Sequence, residues 1–148
     1  MPSEKPLTVV SADEEREVSR TLLSWLNTNP DKPQRINFEF LPDDGTGLSL
    51  SAIQAAVKTR QYIFGGYEAQ YQFALIYRSQ PGDNDTRLES VEMLNELGAW
   101  AERNAGSLLL DNARVKTLRR TSNAALLAVY EDGSRDHQIL MNLTYEVI

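Results

Sequence analysis

The sequence predicts a single α+β domain, a largely antiparallel, mixed sheet of about five to six strands with two helices packed on one face. Three observations predict it. The block Gln61–Arg78, QYIFGGYEAQYQFALIYR, holds four of the six tyrosines and two of the four phenylalanines, and these types favour a pleated, half-buried surface. Inside it Tyr71, Phe73, Leu75 and Tyr77 alternate with Gln70, Gln72, Ala74, Ile76 and Arg78, the period of a long strand with one apolar face. Two other segments, at about 12–28 and 86–104, show apolar residues at helical spacing and supply a cover for that face. At 148 residues one domain is expected, and such a chain buries about 70% of its unfolded surface without needing staples.

Taken in order, residues 1–10 carry two prolines and read as a flexible N-terminal arm that orders only on assembly. The domain then occupies 11–148. Ser11 and Glu14 form a capping box, and Asp13, Glu14 and Glu15 suit a helix N-terminus. Val18, Leu22, Trp25 and Leu26 make the stripe of the first helix, which NTNPDKP (27–33) ends. Arg35–Leu41 alternates as a strand, PDDGTG (42–47) turns, and Leu48–Ala56 reads as a second strand. The pair Gly65-Gly66 marks a bulge, a hairpin corner or a close backbone approach before the long strand.

After the breaker QPGDND (80–85), Thr86 and Glu89 read as a second capping box. Leu88, Val91, Leu94, Leu97 and Ala101 form the apolar face of the second helix, with Trp100 beside it. Trp25 and Trp100, one per helix, are expected to anchor the helical layer, since a tryptophan buries roughly 200 Å². Strands follow at Val115–Thr121, Ala124–Tyr130 and Gln138–Val147, the last two joined by the tight-turn pair Asp132-Gly133.

Composition excludes more than it assigns. The chain has no cysteine, which removes disulfides and thiolate metal sites and fits an intracellular product. The first residues lack the basic and apolar regions of a signal peptide, and no apolar run approaches the roughly 20 residues of a membrane span. The net charge of −6 argues against sequence-independent nucleic-acid binding, which is driven by phosphate neutralisation, and against anionic membrane surfaces.

Residues that carry chemistry elsewhere have simpler readings here. Asp43-Asp44 reads as a solvated turn, because aspartate bonds its own backbone there. His137, the lone histidine, has no partner at catalytic or metal spacing and reads as a surface residue near a hairpin end. The glycine pair lacks a phosphate-loop context, and no serine lies in GxSxG. Arg114, Lys116, Arg119 and Arg120 form a basic strand, with Arg114, Lys116 and Arg120 on one face and Arg119 on the other. It reads as a protected edge or as a contact for an acidic neighbour such as the Asp13–Glu17 patch.

Three segments in order, TLLSWLNTNPDKP (Thr21–Pro33), LSLSAIQAAVKTRQYIFGGYEAQYQFALIYR (Leu48–Arg78) and LNELGAWAE (Leu94–Glu102), resemble the small minor capsid or tail-terminator-type proteins of the head–tail joining region of long-tailed phages and prophages. The resemblance spans roughly residues 11–148. It implies a structural virion component made in the bacterial host cytoplasm, not an enzyme, with no cofactor. It implies partners too: copies of itself in a ring, commonly six, which caps the tail tube and docks to the head connector while DNA passes without specific binding. A head-to-tail ring needs two different patches on each subunit. The expected intersubunit residues are Tyr62, Phe64, Gly65, Gly66 and Tyr67 with Arg114, Lys116 and Arg120. The alternatives are a small ligand-binding α+β domain with a pocket near Asp43 or His137, or a bacterial protein-adaptor domain that binds through its sheet edge.

Overall fold

The computed structural model describes residues 8–148; of the arm expected over residues 1–10, residues 1–7 lie outside the described residues. Two strands of 13 residues dominate it: β5 (Tyr67–Ser79) and β8 (Arg135–Val147) pair antiparallel over their whole length. Each carries two short strands end to end on its outer edge. On β5 these are β4 (Val57–Gln61) and β3 (Gly47–Ala52), extended outward by β1 (Thr8–Val9) and β2 (Ile36–Phe38) respectively. On β8 they are β6 (Arg114–Arg120) and β7 (Ala125–Val129). All pairings are antiparallel except β2 with β3.

The sheet thus has eight strands rather than five or six. The two extra ones have physical reasons to be inconspicuous. VKTRQ shows four polar residues in a row because β4 is half-exposed on both faces. Thr8–Val9 falls in the stretch read as arm, yet it pairs with β4, and Val10 is buried with its N–H on the Ala56 carbonyl at 2.9 Å. Residues 53–56, expected to continue β3, instead step across to β4.

Both helices cover one face. α1 (Ala12–Leu26) begins at Ser11, whose side chain accepts the Glu14 N–H at 3.1 Å. It buries Val18, Leu22, Trp25 and Leu26, the stripe expected from spacing. α2 (Asn84–Asn104) starts two residues earlier than its sequence suggests, because Asp83 rather than Thr86 caps it and accepts the Thr86 N–H at 3.0 Å. Its buried stripe is Ser90, Leu94, Leu97, Gly98 and Ala101, while Leu88 is exposed. Gly98 is required there: a Cβ would lie 2.8 Å from Arg120 and 2.9 Å from Ile139. The tryptophans meet with ring centroids 4.9 Å apart.

The helix-facing side of the ribbon carries Ala69, Tyr71, Phe73 and Leu75 of β5 against Tyr145, Leu143, Met141 and Ile139 of β8, all fully buried. The Tyr71 hydroxyl is satisfied by Ser19 of α1 at 2.8 Å. Leu22 has no exposed surface, and truncating such a residue to alanine costs about 2–5 kcal/mol. The opposite face has no helix among the described residues. Its central rows are Glu68, Gln70, Gln72, Ala74, Ile76 and Arg78 of β5, paired with Glu146, Thr144, Asn142, Leu140, Gln138 and Asp136 of β8. No helix among the described residues is long and apolar enough to cross a membrane.

Candidate functional site

The glycine pair is both a hairpin corner and a close backbone approach. It joins β4 to β5 through Tyr62-Ile63-Phe64-Gly65-Gly66, closed by the Tyr62 N–H on the Gly66 carbonyl at 3.1 Å and the Gly65 N–H on the Tyr62 carbonyl at 3.3 Å. Gly65 and Gly66 have φ of 92° and 79°, values that favour glycine. A Cβ on Gly66 would also lie 2.3 Å from the Val147 carbonyl oxygen. The corner therefore sits tight against the end of β8. The tip itself touches nothing: Ile63 is 94% and Phe64 101% exposed. Two adjacent apolar residues in full solvent, at the apex of a glycine-fixed turn, are unusual for a loop.

At the base of this hairpin, on the uncovered face, Glu68 and Glu146 stand directly opposite each other. Like charges so placed repel, and cations and hydroxyls on three sides offset this. Lys116 Nζ lies 2.7 Å from Glu68 Oε1, and the Thr59 hydroxyl donates to Glu68 Oε2 at 2.9 Å. The Tyr62 hydroxyl donates to Glu146 Oε2 at 2.7 Å, and Arg114 pairs with the same carboxylate. The Lys116 hydrogen bond, then Thr59, holds Glu68 below the usual carboxylate range. Tyr62, and then Arg114, do the same for Glu146. The cluster is ionised near neutral pH and fixes the hairpin to β8.

A bulge in β6 at Lys116 brings these cations here, because Val115 faces Tyr145 while Thr117 faces Thr144. The extra residue inverts the parity of the strand. Arg114 and Arg119 fall on the uncovered face, opposite Glu146 and Asn142. Arg120 falls on the helical face, where its Nε donates to Glu102 of α2 at 2.6 Å. The expectation that Arg114, Lys116 and Arg120 share a face is thus corrected.

Tyr67 also departs from the expected group. It points under α1, where the carboxylate of Glu14 accepts the hydroxyls of both Tyr67 and Tyr145, the latter at 2.7 Å. Burial, then Glu14, pushes Tyr67 up to about 12. The structure therefore gathers Tyr62, Phe64, Gly65, Gly66, Arg114 and Lys116, and separates Tyr67 and Arg120.

A second polar cluster lies at the other end of the same face. Arg78 grips Asp136 with Nε at 2.8 Å and Nη2 at 3.0 Å, donates to the Pro42 carbonyl at 2.7 Å, and stacks over Tyr130. The Tyr130 hydroxyl donates to Asp136 at 2.6 Å. Asp43, of the expected solvated turn, lines the shallow depression beside Arg78 and Tyr130. His137 is not a surface residue. It is 5% exposed, faces Leu126 and Tyr77 across the sheet, and its Nδ1 has no partner among the described residues. Burial, then the charge of Arg135, holds its pKa below the ordinary histidine value. No group of three metal-ligating side chains occurs among the described residues.

Glu68, Glu146 and Thr59 were not visible as site residues in the sequence, since each acquires its role from a cross-strand partner, and Glu14 was read only as a helix-cap and acidic-patch residue. One signal was present: Tyr-x-x-Gly recurs as Tyr62–Gly65 and Tyr130–Gly133, once in each hairpin. No protein-family model matches this chain, and no curated protein matches it.

Proposed function

We propose that this chain is a non-catalytic assembly protein of the phage or prophage head–tail joining region, a tail terminator or minor capsid protein that forms a ring and joins tail tube to head connector. The observation that supports the reading best is the Ile63–Phe64 tip. It is fully exposed at a turn that Gly65 and Gly66 permit and the Tyr62–Glu146 bond ties to β8, and an apolar anchor on a positioned support is what an interface core uses. The net charge of −6 suits a bore that does not hold DNA.

The test is light scattering coupled to size exclusion, with and without the tail-tube protein of the same phage or prophage. The expected result is a discrete ring, or retention on tail tubes, that Ile63→Ser/Phe64→Ser abolishes while the fold persists. A chain that neither oligomerises nor binds tail tubes sinks the proposal. A second reading, an adaptor that adds a partner's strand to its sheet, is favoured by β7. Its outer edge is unpaired and Leu126, Leu127 and Val129 are about half exposed, with none of the charges that usually protect an edge.

A further inference from the structure

The assembly reading leaves open what receives the apolar tip. A cleft of about 330 Å³ lies between α1, the segment Leu110–Ala113 and the end of β8. Its rim carries Asp13, Glu14, Glu17 and Asp111, and no lysine or arginine among the described residues lines it. Asp13 and Glu17 do pair with Arg16 and Arg20, exposed residues of α1 outside the cleft. Val18, Leu110 and Ala113 give it an apolar floor.

The hairpin that bears the tip has the opposite character. Lys58 and Arg60 stand on β4, and Arg114 and Lys116 flank its base on β6. Arg114 and Lys116 are taken up by Glu146 and Glu68. Arg60 has no ion pair among the described residues. Lys58 only overlies the Tyr67 ring at 4.3 Å. An apolar apex on a basic stalk thus matches an apolar floor within an acidic rim, and such complementarity fixes register and excludes wrong partners.

Placement supports the match. Tip and cleft both lie at the end of the ribbon where Tyr67 faces Val147. The hairpin is on the β4 side of the ribbon, the cleft on the side of α1 and the entry to β6. Two different patches on one chain are what a heterologous contact requires.

We infer that the Ile63–Phe64 tip of one copy seats in the acidic-rimmed cleft beside α1 of a second copy of this chain. The inference rests on the assembly reading, deepens it by naming both halves of the contact, and can fail separately from it.

The absence of cysteine makes the test direct. Phe64→Cys and Thr21→Cys are made singly, Thr21 being a cleft residue on α1. The two variants are mixed and oxidised with copper phenanthroline, free in solution and bound to tail tubes. The expected product is a 64–21 heterodimer. Its yield should drop severalfold when Glu17→Lys and Asp111→Lys are added to the Thr21→Cys chain, and also in high salt. If oligomers form, or tail tubes are bound, but 64–64 dimers or no cross-links appear, the cleft is overturned and the assembly reading stands. An unsubstituted chain that stays monomeric and ignores tail tubes overturns both. If Phe64→Cys alone fails to assemble, Ile63→Cys, which keeps Phe64, replaces it, and the absence of a 63–21 product then overturns the cleft. Circular dichroism of each variant separates loss of contact from loss of fold.

Discussion

The two hairpins, Tyr62–Gly66 and Tyr130–Ser134, are built alike and end differently. In each the tyrosine N–H bonds the carbonyl four residues on, and the glycine N–H bonds the tyrosine carbonyl. In each the tyrosine hydroxyl reaches a carboxylate of β8, Glu146 or Asp136, that an arginine also holds. Both follow a bulged strand, with the irregularity at Thr59 in β4 and at Leu127 in β7. Yet one apex is Glu131-Asp132 and the other Ile63-Phe64. Glu131 and Asp132 obey the physics of solvated turns, and Asp132 accepts the Ser134 N–H at 2.9 Å. Ile63 and Phe64 gain nothing from their own fold. With the scaffold held nearly constant, the apolar apex has no explanation within the fold, and the proposed contact would supply one.

The sharpest way to break the comparison is at the arginines. Asp136 is 4% exposed and its partner Arg78 16%, whereas Arg114 is 72% exposed. Arg78→Met strands a buried carboxylate and should cost about 3–5 kcal/mol in urea unfolding. Glu146 is also buried, at 8% exposed, but its arginine is solvated and Tyr62 donates to it as well. Arg114→Met should therefore cost less, and equal losses would show that the two clusters are not of different strength. Next come the glycines. Gly66→Ala meets the Val147 carbonyl and a left-handed backbone together, so a loss of about 1–3 kcal/mol is expected. Gly133→Ala meets only ordinary contacts beyond its positive φ and should lose about 1 kcal/mol.

Acid separates the hairpins differently. His137, opposite β7, has a folded-state pKa below its unfolded value near 6.5. The unfolded chain therefore binds the proton more readily, and stability present above about pH 6.5 falls as pH drops below it. His137→Leu should flatten that limb of a pH–stability curve, and a limb unchanged in the variant would assign it elsewhere. The carboxylates Glu68 and Glu146, also depressed, keep their contribution down to lower pH and lose it as pH falls through their folded values. The smallest effect on stability is expected at the apex. Ile63→Glu/Phe64→Asp makes the two tips chemically alike and should change unfolding by less than about 0.5 kcal/mol, yet abolish assembly in the light-scattering test.

Much of the fold was legible, because Tyr71–Tyr77 and the stripe of α1 bury one face each and so print a period on the sequence. Strand β4 was not, since VKTRQ is positioned by pairing rather than by burial. The expectation that Arg120 shares a face with Arg114 and Lys116 was wrong for a related reason. A bulge is invisible to an alternation rule, and one extra residue at Lys116 moves everything after it to the other side. Of the site, the turn was legible through its glycines and tyrosine. The carboxylates that lock it were not, because Glu68 and Glu146 lie 78 positions apart in the chain and meet only through the β5–β8 register.

That register also sets a timetable. Ser79 faces Arg135 and Tyr67 faces Val147, so the separation between paired residues grows from 56 to 80 along the ladder. Closing such loops before any contact rewards them makes folding slow, and the closure at the α2 end, cheaper by about 0.3 kcal/mol, is expected to come first. On that order the approach of Gly66 to the Val147 carbonyl, at the far end of the ladder, is expected last. Amide exchange should then show the Tyr67–Val147 end opening before the Ser79–Arg135 end in the free protein and, on the assembly proposal, gaining protection once copies associate.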